Sequence, residues 1–141
     1  IRDFVDTIGD DFGVKLSIFE SPATSKNGFF ELFSLVREYL LITEYGYYAL
    51  KDLILNIYQK NSQVLRDLRN LVEEEFVTTS HFEEFIPALF KNNLNVSKTA
   101  KEVYMHRNTI NNRLEAIQNI TTLNLQTFQD AMAMYILFTA K

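Results

Sequence analysis

The sequence predicts a mainly α-helical protein, in which a helical N-terminal region with at most one or two short strands precedes a C-terminal bundle of four to five helices. Apolar residues recur at intervals of three and four along most of the chain, as on one face of an α-helix. The alternation typical of a strand occurs once, from Val14 to Phe19. With 47% hydrophobic and 23% charged residues, the chain has a globular composition.

Length and composition exclude several classes of protein. A chain of 141 residues can form one ordinary core or two small ones. The absence of cysteine excludes disulfides and thiolate metal sites and suits a cytoplasmic location. No apolar run approaches the ~18 residues of a membrane span, and the N-terminus lacks a signal-peptide pattern, so we expect no membrane partner. Because the chain begins with Ile1 rather than Met, we expect a fragment of a longer protein.

The first 28 residues predict a short helix, a strand and a loop. The helix lies around Arg2–Thr7, and Gly9–Asp11 with Gly13 form a turn. The strand Val14–Phe19 follows, and the loop Ser21–Gly28 is rich in Ser, Pro, Thr and Asn.

Three amphipathic helices are predicted next, each with one apolar face. These faces comprise Phe29, Leu32, Phe33, Val36 and Leu40; then, after Gly46, Tyr47, Leu50, Ile54, Ile57 and Tyr58; and, after Asn61 and Ser62, Leu65, Leu68, Val72 and Phe76. We interpret these faces as core; the alternative is that part of this surface is a dimer face.

A change in composition at Val77–Ser80 predicts a domain boundary, with one region at 1–77 and a second at 78–141. Ser80 and Glu83 have the spacing of a capping box, and an apolar helical stripe begins at Phe82 and includes Phe85, Ile86, Leu89 and Phe90. Pro87 lies within this stripe. A proline should either kink the helix or mean that its regular part starts near Ile86, because proline lacks a backbone donor.

The stretch Asn95–Leu114 predicts two short helices joined by a sharp turn. Val96, Ala100 and Val103 form the apolar stripe of the first helix, which Asn95 or Ser97 should cap, and Ile110 and Leu114 belong to that of the second. Only Tyr104 and Met105 separate the helices, and we expect Met105 to fill the corner. This arrangement is a helix-turn-helix.

The second helix can be divided into faces by advancing 100° per residue. Ile110, Leu114 and Ile117 lie on one side, which we expect to be buried. The opposite side and its shoulders should be exposed; they carry Asn108, Asn112, Glu115, Thr109 and Asn111. Asparagine can pair with adenine in the major groove, and threonine can contact a thymine methyl group. These residue types therefore suit base recognition.

Cations flank this face. Arg107 and Arg113 lie about 60° to either side of the buried stripe, and Lys98 and Lys101 lie on the preceding helix, so all four could contact phosphates. His106 could cap the second helix or donate to a phosphate. The whole chain has a net charge of −4, but from Lys91 to Arg113 five cations face one acid, Glu102, which gives a local balance of +4. A DNA backbone responds to this local charge.

Two residues depart from a simple DNA-reading pattern. Tyr104 occupies the turn position where glycine often takes a left-handed conformation. Glu115 lies on the open face and would repel phosphate.

The remaining residues predict a break and a last helix. The apolar residues Ile117, Ile120, Leu123 and Leu125 run past a break at Thr121 and Thr122. Thr127 is the predicted N-cap of the last helix, whose apolar stripe comprises Phe128, Ala131, Met132, Tyr135, Ile136 and Thr139.

The segment Leu89–Leu114 resembles the C-terminal helix-turn-helix of the PucR and CdaR family of bacterial transcription regulators. The matching positions are Thr99, Ala100, Val103, His106, Arg107, Asn108, Thr109, Ile110, Arg113 and Leu114, and the similarity continues over about 60 residues in all. The sequence departs from the family pattern at Asn112, commonly aromatic, at Thr122, commonly glycine, and at Pro87.

The resemblance implies a transcription regulator whose partner is double-stranded operator DNA. It also implies that residues 1–77 are the remnant of a sensing or GGDEF-like region, although no GGDEF signature is present, so we assign neither cyclase activity nor a metal. A small-molecule effector could act through a region outside this chain. No cofactor is expected.

An enzyme is not predicted, because no nucleophile has an activating partner, no glycine-rich phosphate loop occurs, and His81 and His106 lie in different contexts. We expect a sequence-specific DNA-binding regulator that acts as a homodimer or higher homo-oligomer, since one short helix reads only a few base pairs. The alternative is a protein-interaction or dimerisation module on the same scaffold, without DNA binding.

Overall fold

A computed structural model of the chain describes residues 2–40, 45–77 and 82–139. Within these ranges, the elements in chain order are α1 (Arg2–Phe12), β1 (Ser17–Phe19), α2 (Lys26–Leu40), β2 (Gly46–Tyr48), α3 (Leu50–Tyr58), α4 (Ser62–Val77), α5 (Phe82–Lys91), α6 (Val96–Glu102), α7 (Arg107–Thr121) and α8 (Phe128–Thr139). The predicted mainly α-helical class, with at most two short strands and four C-terminal helices, is confirmed.

Helix α1 is longer than predicted, and the turn expected at Gly9–Asp11 is wrong. The helix continues through Gly9 to Phe12, since one glycine in a helix costs only ~1 kcal/mol relative to alanine. It ends before Gly13, whose φ of +62° lies in the left-handed region that glycine adopts without strain.

The two strands form a small parallel sheet. Ser17, Ile18 and Phe19 pair with Gly46, Tyr47 and Tyr48, and α2 provides the crossover that parallel strands require. Strand β1 is shorter than the predicted Val14–Phe19, and Val14 is exposed. The prediction that Tyr47 begins a helix is wrong, because the backbone around Tyr47 pairs with β1 and the helix starts only at Leu50.

Helix α2 starts at Lys26, three residues before the predicted Phe29, and the Ser25 hydroxyl accepts a bond from the Gly28 N–H at its first turn. Its buried residues are Leu32, Val36 and Tyr39. Phe29 and Phe33 are about half exposed, so their predicted placement in the core is wrong. They lie roughly 60° and 100° around the helix from Leu32, outside the stripe that packs on α3 and α4.

Helices α3 and α4 supply the centre of the core as predicted. Leu50, Ile54, Ile57, Leu65, Leu68 and Val72 are all buried, whereas Tyr58 is exposed. The Asp52 carboxylate accepts a bond from the Ala49 N–H at the start of α3, and the Asn61 side chain accepts from the first turn of α4.

Helix α5 runs through Pro87 to Lys91, so the alternative that its regular part starts near Ile86 is wrong. Phe85, Ile86 and Leu89 are buried as predicted. The predicted cap at Ser80 and the proposed boundary at 77–80 fall largely outside the described residues, and the division into 1–77 and 78–141 stays a prediction.

Helix α8 packs against α3 and α4, so the N-terminal and C-terminal parts of the chain share one hydrophobic core. Lys51 on α3 forms a salt bridge with Asp130 on α8 at 3.2 Å, and the Ala23 N–H donates to the Ile120 carbonyl at 2.6 Å. These contacts position the C-terminal helices against the rest of the chain.

The predicted apolar stripe of α8 is only partly correct. Ala131 is buried, but Phe128 and Tyr135 are exposed, and the buried face also includes Met134 and Leu137. Helix α8 is apolar around most of its circumference, so its periodicity does not select a face. Contact with α3 and α4 selects it instead.

None of the helices in the described ranges has the length and apolar character that a membrane crossing needs.

Candidate nucleic-acid interface

Helix α6 begins at a capped N-terminus. The Asn95 side chain accepts a bond from the Lys98 N–H at 3.0 Å, and the Thr99 hydroxyl donates to the Asn95 carbonyl at 2.9 Å. Of the two caps predicted, Asn95 is therefore the one that forms. The cap fixes the start of α6, and Lys98 and Lys101 are exposed along it.

A Schellman motif ends α6 and forms the turn. The Tyr104 N–H donates to the Lys101 carbonyl at 3.4 Å, and the Met105 N–H donates to the Ala100 carbonyl at 2.8 Å. This motif requires a left-handed residue, and Tyr104 supplies it with φ +53°. Met105 packs half-buried against the core, as predicted for the corner residue.

His106 is the N-cap of α7. Its Nδ1 accepts a bond from the Asn108 N–H at 3.2 Å, so of the two roles considered for this side chain the capping role is present. The imidazole lies at the entry of α7 and is exposed.

The buried side of α7 is the predicted one, since Ile110, Leu114 and Ile117 are all buried. The exposed residues of the helix include each of the predicted base-reading residues and its neighbours, namely Arg107, Asn108, Thr109, Asn111, Asn112 and Glu115. The helix therefore presents a continuous polar surface to solvent.

Arg113 differs from its predicted place on the exposed rim. Its side chain is half-buried, and its Nη1 is fully buried without a hydrogen-bond partner among the described residues. Arg113 lies closer to the core because it is about 60° from Ile110 and about 40° from Ile117 around α7, at the edge of the buried stripe.

The one acid between Lys91 and Arg113 is engaged by the end of α5. The Glu102 carboxylate accepts bonds from Lys91 Nζ at 2.6 Å and from Asn92 Nδ2 at 2.7 Å. The Lys91 hydrogen bond, and then the Asn92 hydrogen bond, hold the pKa of Glu102 below its usual value. Across the described residues, Lys98 and Lys101 have no ion-pair partner, so their charges remain available.

Two structural features of this region were not predicted from the sequence. One is the Lys91–Asn92–Glu102 cluster, which joins residues 11 positions apart and therefore has no periodic signal. The other is Asp130, whose carboxylate accepts a bond from the Asn124 N–H at 2.9 Å and ties down the loop between α7 and α8. An acid in the first turn of a helix was the available signal for Asp130.

The predicted break at Thr121 and Thr122 lies at the end of α7, where the backbone takes a left-handed conformation. Thr122 has φ +67°, although it is not glycine, and the Thr121 hydroxyl accepts from the Leu123 N–H at 3.1 Å. Helix α8 then starts at Phe128, directly after Thr127, and the Thr127 hydroxyl donates to the Asn124 carbonyl.

Comparison with known proteins points to a helix-turn-helix in the same part of the chain. The family model described as the PucR C-terminal helix-turn-helix domain matches residues 84–140. The chain is also similar to the carbohydrate diacid regulator of Escherichia coli (strain K12), with 35% identity over 51 residues, which is 36% of this chain. That alignment spans 13% of the regulator's own length, and no solved structure matches.

Both similarities support a DNA-binding regulator in general terms and confirm the resemblance found in the sequence. The match begins within α5 and ends after α8, so it covers the helix-turn-helix together with the helices that pack around it. Residues 84–140 of this chain are therefore similar to the PucR C-terminal helix-turn-helix domain.

Proposed function

We propose that this chain is the DNA-binding end of a transcription regulator and recognises a specific operator through α7. The observation that carries the proposal is the exposed polar face of α7, beside cations on α6 that no acid in the described residues neutralises. The family match over residues 84–140 supports the same function.

Base recognition is assigned to the asparagines of α7. Asn108 and Asn112 lie four residues apart, so they project from the same face one turn after another, and Asn111 lies beside them. Each amide can donate to and accept from the major-groove edge of adenine. Thr109 is placed to contact a thymine methyl group.

Phosphate contacts are assigned to the surrounding cations and to the helix entry. Lys98, Lys101 and Arg107 are exposed, and the half-buried Arg113 is assigned the same role. His106 caps α7 through Nδ1, so its Nε2 is the nitrogen left for a phosphate oxygen. These contacts fix the position and orientation of the helix on the duplex, but they do not distinguish one base sequence from another.

The active form is proposed to be a homodimer. A single recognition helix contacts only a few base pairs, whereas two copies reading half-sites ~34 Å apart define a specific operator. Selection of bound sites from random duplexes tests binding and dimerisation together, because a dimer selects two related half-sites at a fixed spacing.

Fluorescence anisotropy with a selected duplex tests the residue assignments. Asn108→Ala should reduce the preference for the selected duplex over a scrambled one by ~1–3 kcal/mol. Lys101→Ala should weaken binding to both duplexes alike and make the salt dependence of log affinity shallower by roughly 0.9. Lys60→Ala, an exposed lysine just after α3, is the matched control and should change neither. If Asn108→Ala and Lys101→Ala both weakened the two duplexes uniformly, the base-reading role would be wrong.

A second candidate function is a protein-interaction module, and one surface favours it. Phe29, Phe30 and Phe33 are exposed together on α2, with the Phe29 and Phe33 rings stacked at 6.4 Å between centroids. A salt titration separates the two functions, because an interaction module would show no duplex affinity even at low salt.

A further inference from the structure

A cavity of about 530 Å³ lies between α4, α5 and α8. None of its lining residues belongs to α6 or α7, so it is separate from the proposed DNA-reading face. Its volume falls within the range of small-molecule binding sites.

One part of the cavity wall is aromatic. The Phe90 and Tyr135 rings meet edge to face, with centroids 5.2 Å apart and an interplanar angle of 83°. Ile86 and Pro87 extend this apolar surface along α5. A planar aromatic ligand can bury its ring against such a surface through stacking or edge contacts.

Another part of the wall holds a pre-oriented guanidinium. Arg69 Nε donates to Glu73 Oε1 at 2.8 Å, and the guanidinium carbon lies 5.4 Å from the centre of the Phe138 ring. These two contacts fix the plane of the group. Its terminal amino groups have no hydrogen-bond partner within residues 2–40, 45–77 and 82–139.

Arg69 is the anion-binding group that the cavity has available. The other cation in the lining, Lys91, has its single Nζ bound to Glu102 at 2.6 Å, whereas Arg69 pairs with Glu73 through Nε and keeps its two terminal amino groups. Two terminal amino groups on one guanidinium match the two oxygens of a carboxylate, and this paired contact is stronger than a neutral hydrogen bond.

We propose that this cavity binds a small aromatic carboxylate, with its carboxylate on the terminal amino groups of Arg69 and its ring against Phe90 and Tyr135. The Tyr135 hydroxyl has no bonding partner in the described part of the chain and can donate to a further acceptor on the ligand. This site does not depend on the proposed DNA binding.

Isothermal titration calorimetry of the full chain with benzoate tests the proposal. Two ligand controls separate the contributions: benzamide has the same ring without the charge, and cyclohexanecarboxylate has the charge without the aromatic ring. Benzoate should bind at least tenfold more tightly than benzamide, because the charged hydrogen bonds are lost, and more tightly than cyclohexanecarboxylate. Equal affinity for benzoate and benzamide would overturn the proposal without any variant.

Protein variants locate the site. Arg69→Gln should weaken benzoate binding at least tenfold, whereas Arg66→Gln, three residues earlier on α4 and outside the cavity lining, should bind as the unaltered chain does. Arg69→Lys keeps the charge without the planar fork and should bind more weakly at an unchanged melting temperature, which separates recognition from folding. Unaltered benzoate affinity in Arg69→Lys and Arg69→Gln, or no benzoate binding up to roughly 10 mM, would overturn the assignment.

Discussion

Tyr104 adopts a left-handed backbone conformation with 96% of its surface exposed. This conformation costs about 1–2 kcal/mol of free energy for a residue with a Cβ atom, whereas glycine adopts it with little strain. The Schellman motif at the end of α6 nevertheless requires it. The helix-turn-helix therefore contains a local strain that arises from one side chain and can be relieved at one position.

Tyr104→Gly is expected to stabilise the protein by about 0–1 kcal/mol, because the removed strain exceeds the added entropy of the unfolded chain. Urea denaturation measures the change, and Tyr104→Val, a β-branched residue at the same φ, is the matched control and should destabilise. Destabilisation by the glycine variant would show that the tyrosine ring itself contributes stabilising contacts.

His106 caps α7 through a nitrogen that accepts from the Asn108 N–H. Aspartate is a stronger N-cap and adds a negative charge where the helix dipole favours one. His106→Asp should therefore leave the melting temperature unchanged or raise it, while weakening duplex binding about tenfold or more through repulsion of phosphate. Thermal unfolding and anisotropy measure the two effects, and unchanged duplex affinity would place His106 away from the DNA backbone.

At the scale of elements, the angle between α5 and α6 is held by a charged cluster. Lys91 and Asn92, at the end of α5, both bind the Glu102 carboxylate at the end of α6. Asn92 also donates to the Ala88 carbonyl at 2.8 Å, which ties the cluster to α5. Helix α6 is thereby positioned from both ends, by this cluster and by its cap at Asn95.

The Lys91 hydrogen bond, and then the Asn92 hydrogen bond, hold the pKa of Glu102 in the folded chain below its usual value. A carboxylate with a lowered folded pKa stabilises the protein above its unfolded pKa, and that stabilisation is lost as pH falls through the folded pKa. The unaltered chain should thus melt above Glu102→Gln at about pH 7, and the difference should be smaller at about pH 4, because the carboxylate begins to take up a proton there. Melting curves at both pH values measure this, and a constant difference would exclude the carboxylate charge as the cause.

Helices α7 and α8 show how far periodicity predicts packing. Helix α7 alternates apolar and polar residues every turn, so its buried side at Ile110, Leu114 and Ile117 followed from the sequence. Helix α8 is apolar on most sides, so the sequence left Phe128 and Tyr135 on the wrong face. An amphipathic helix has one apolar face, so its sequence predicts which face is buried. In a uniformly apolar helix, contacts with neighbouring helices decide which face is buried.

On the scale of the whole molecule, α8 connects the two parts of the chain. Its Met134 and Leu137 are buried in the core that α3 and α4 also form. The Asp130 carboxylate, largely buried, meets Lys51 of α3, and its Oδ1 has no hydrogen-bond partner among the described residues. Because Lys51 Nζ lies 3.2 Å from Oδ1, the Lys51 ammonium is the cation that compensates the negative charge of Asp130.

Lys51→Ala should destabilise the chain by about 1–3 kcal/mol, because it leaves the Asp130 carboxylate buried without its counter-charge. Lys60→Ala, an exposed lysine, is the control. Since the core is shared, unfolding should occur in one transition in both variants, as followed by circular dichroism in the far and near ultraviolet. Two separate transitions would instead support independent domains at 1–77 and 78–141.

The sequence by itself determined the helical class, the helix-turn-helix, its buried stripe and the polar face of α7. These features depend on local periodicity and on the residues that cap and turn the chain, which act over four or five positions. The position of Met105 in the corner followed for the same reason, and the sequence limited the cap of α6 to Asn95 or Ser97, of which the structure has Asn95.

Only the tertiary structure decided the pairing of β1 with β2, the buried face of α8, the half-burial of Arg113 and the use of Glu102 by Lys91. The cavity beside Arg69 belongs to the same group, because its walls come from three helices that are distant in sequence. Each of these features depends on which surfaces meet across the core, and such long-range contacts leave no period in a single sequence.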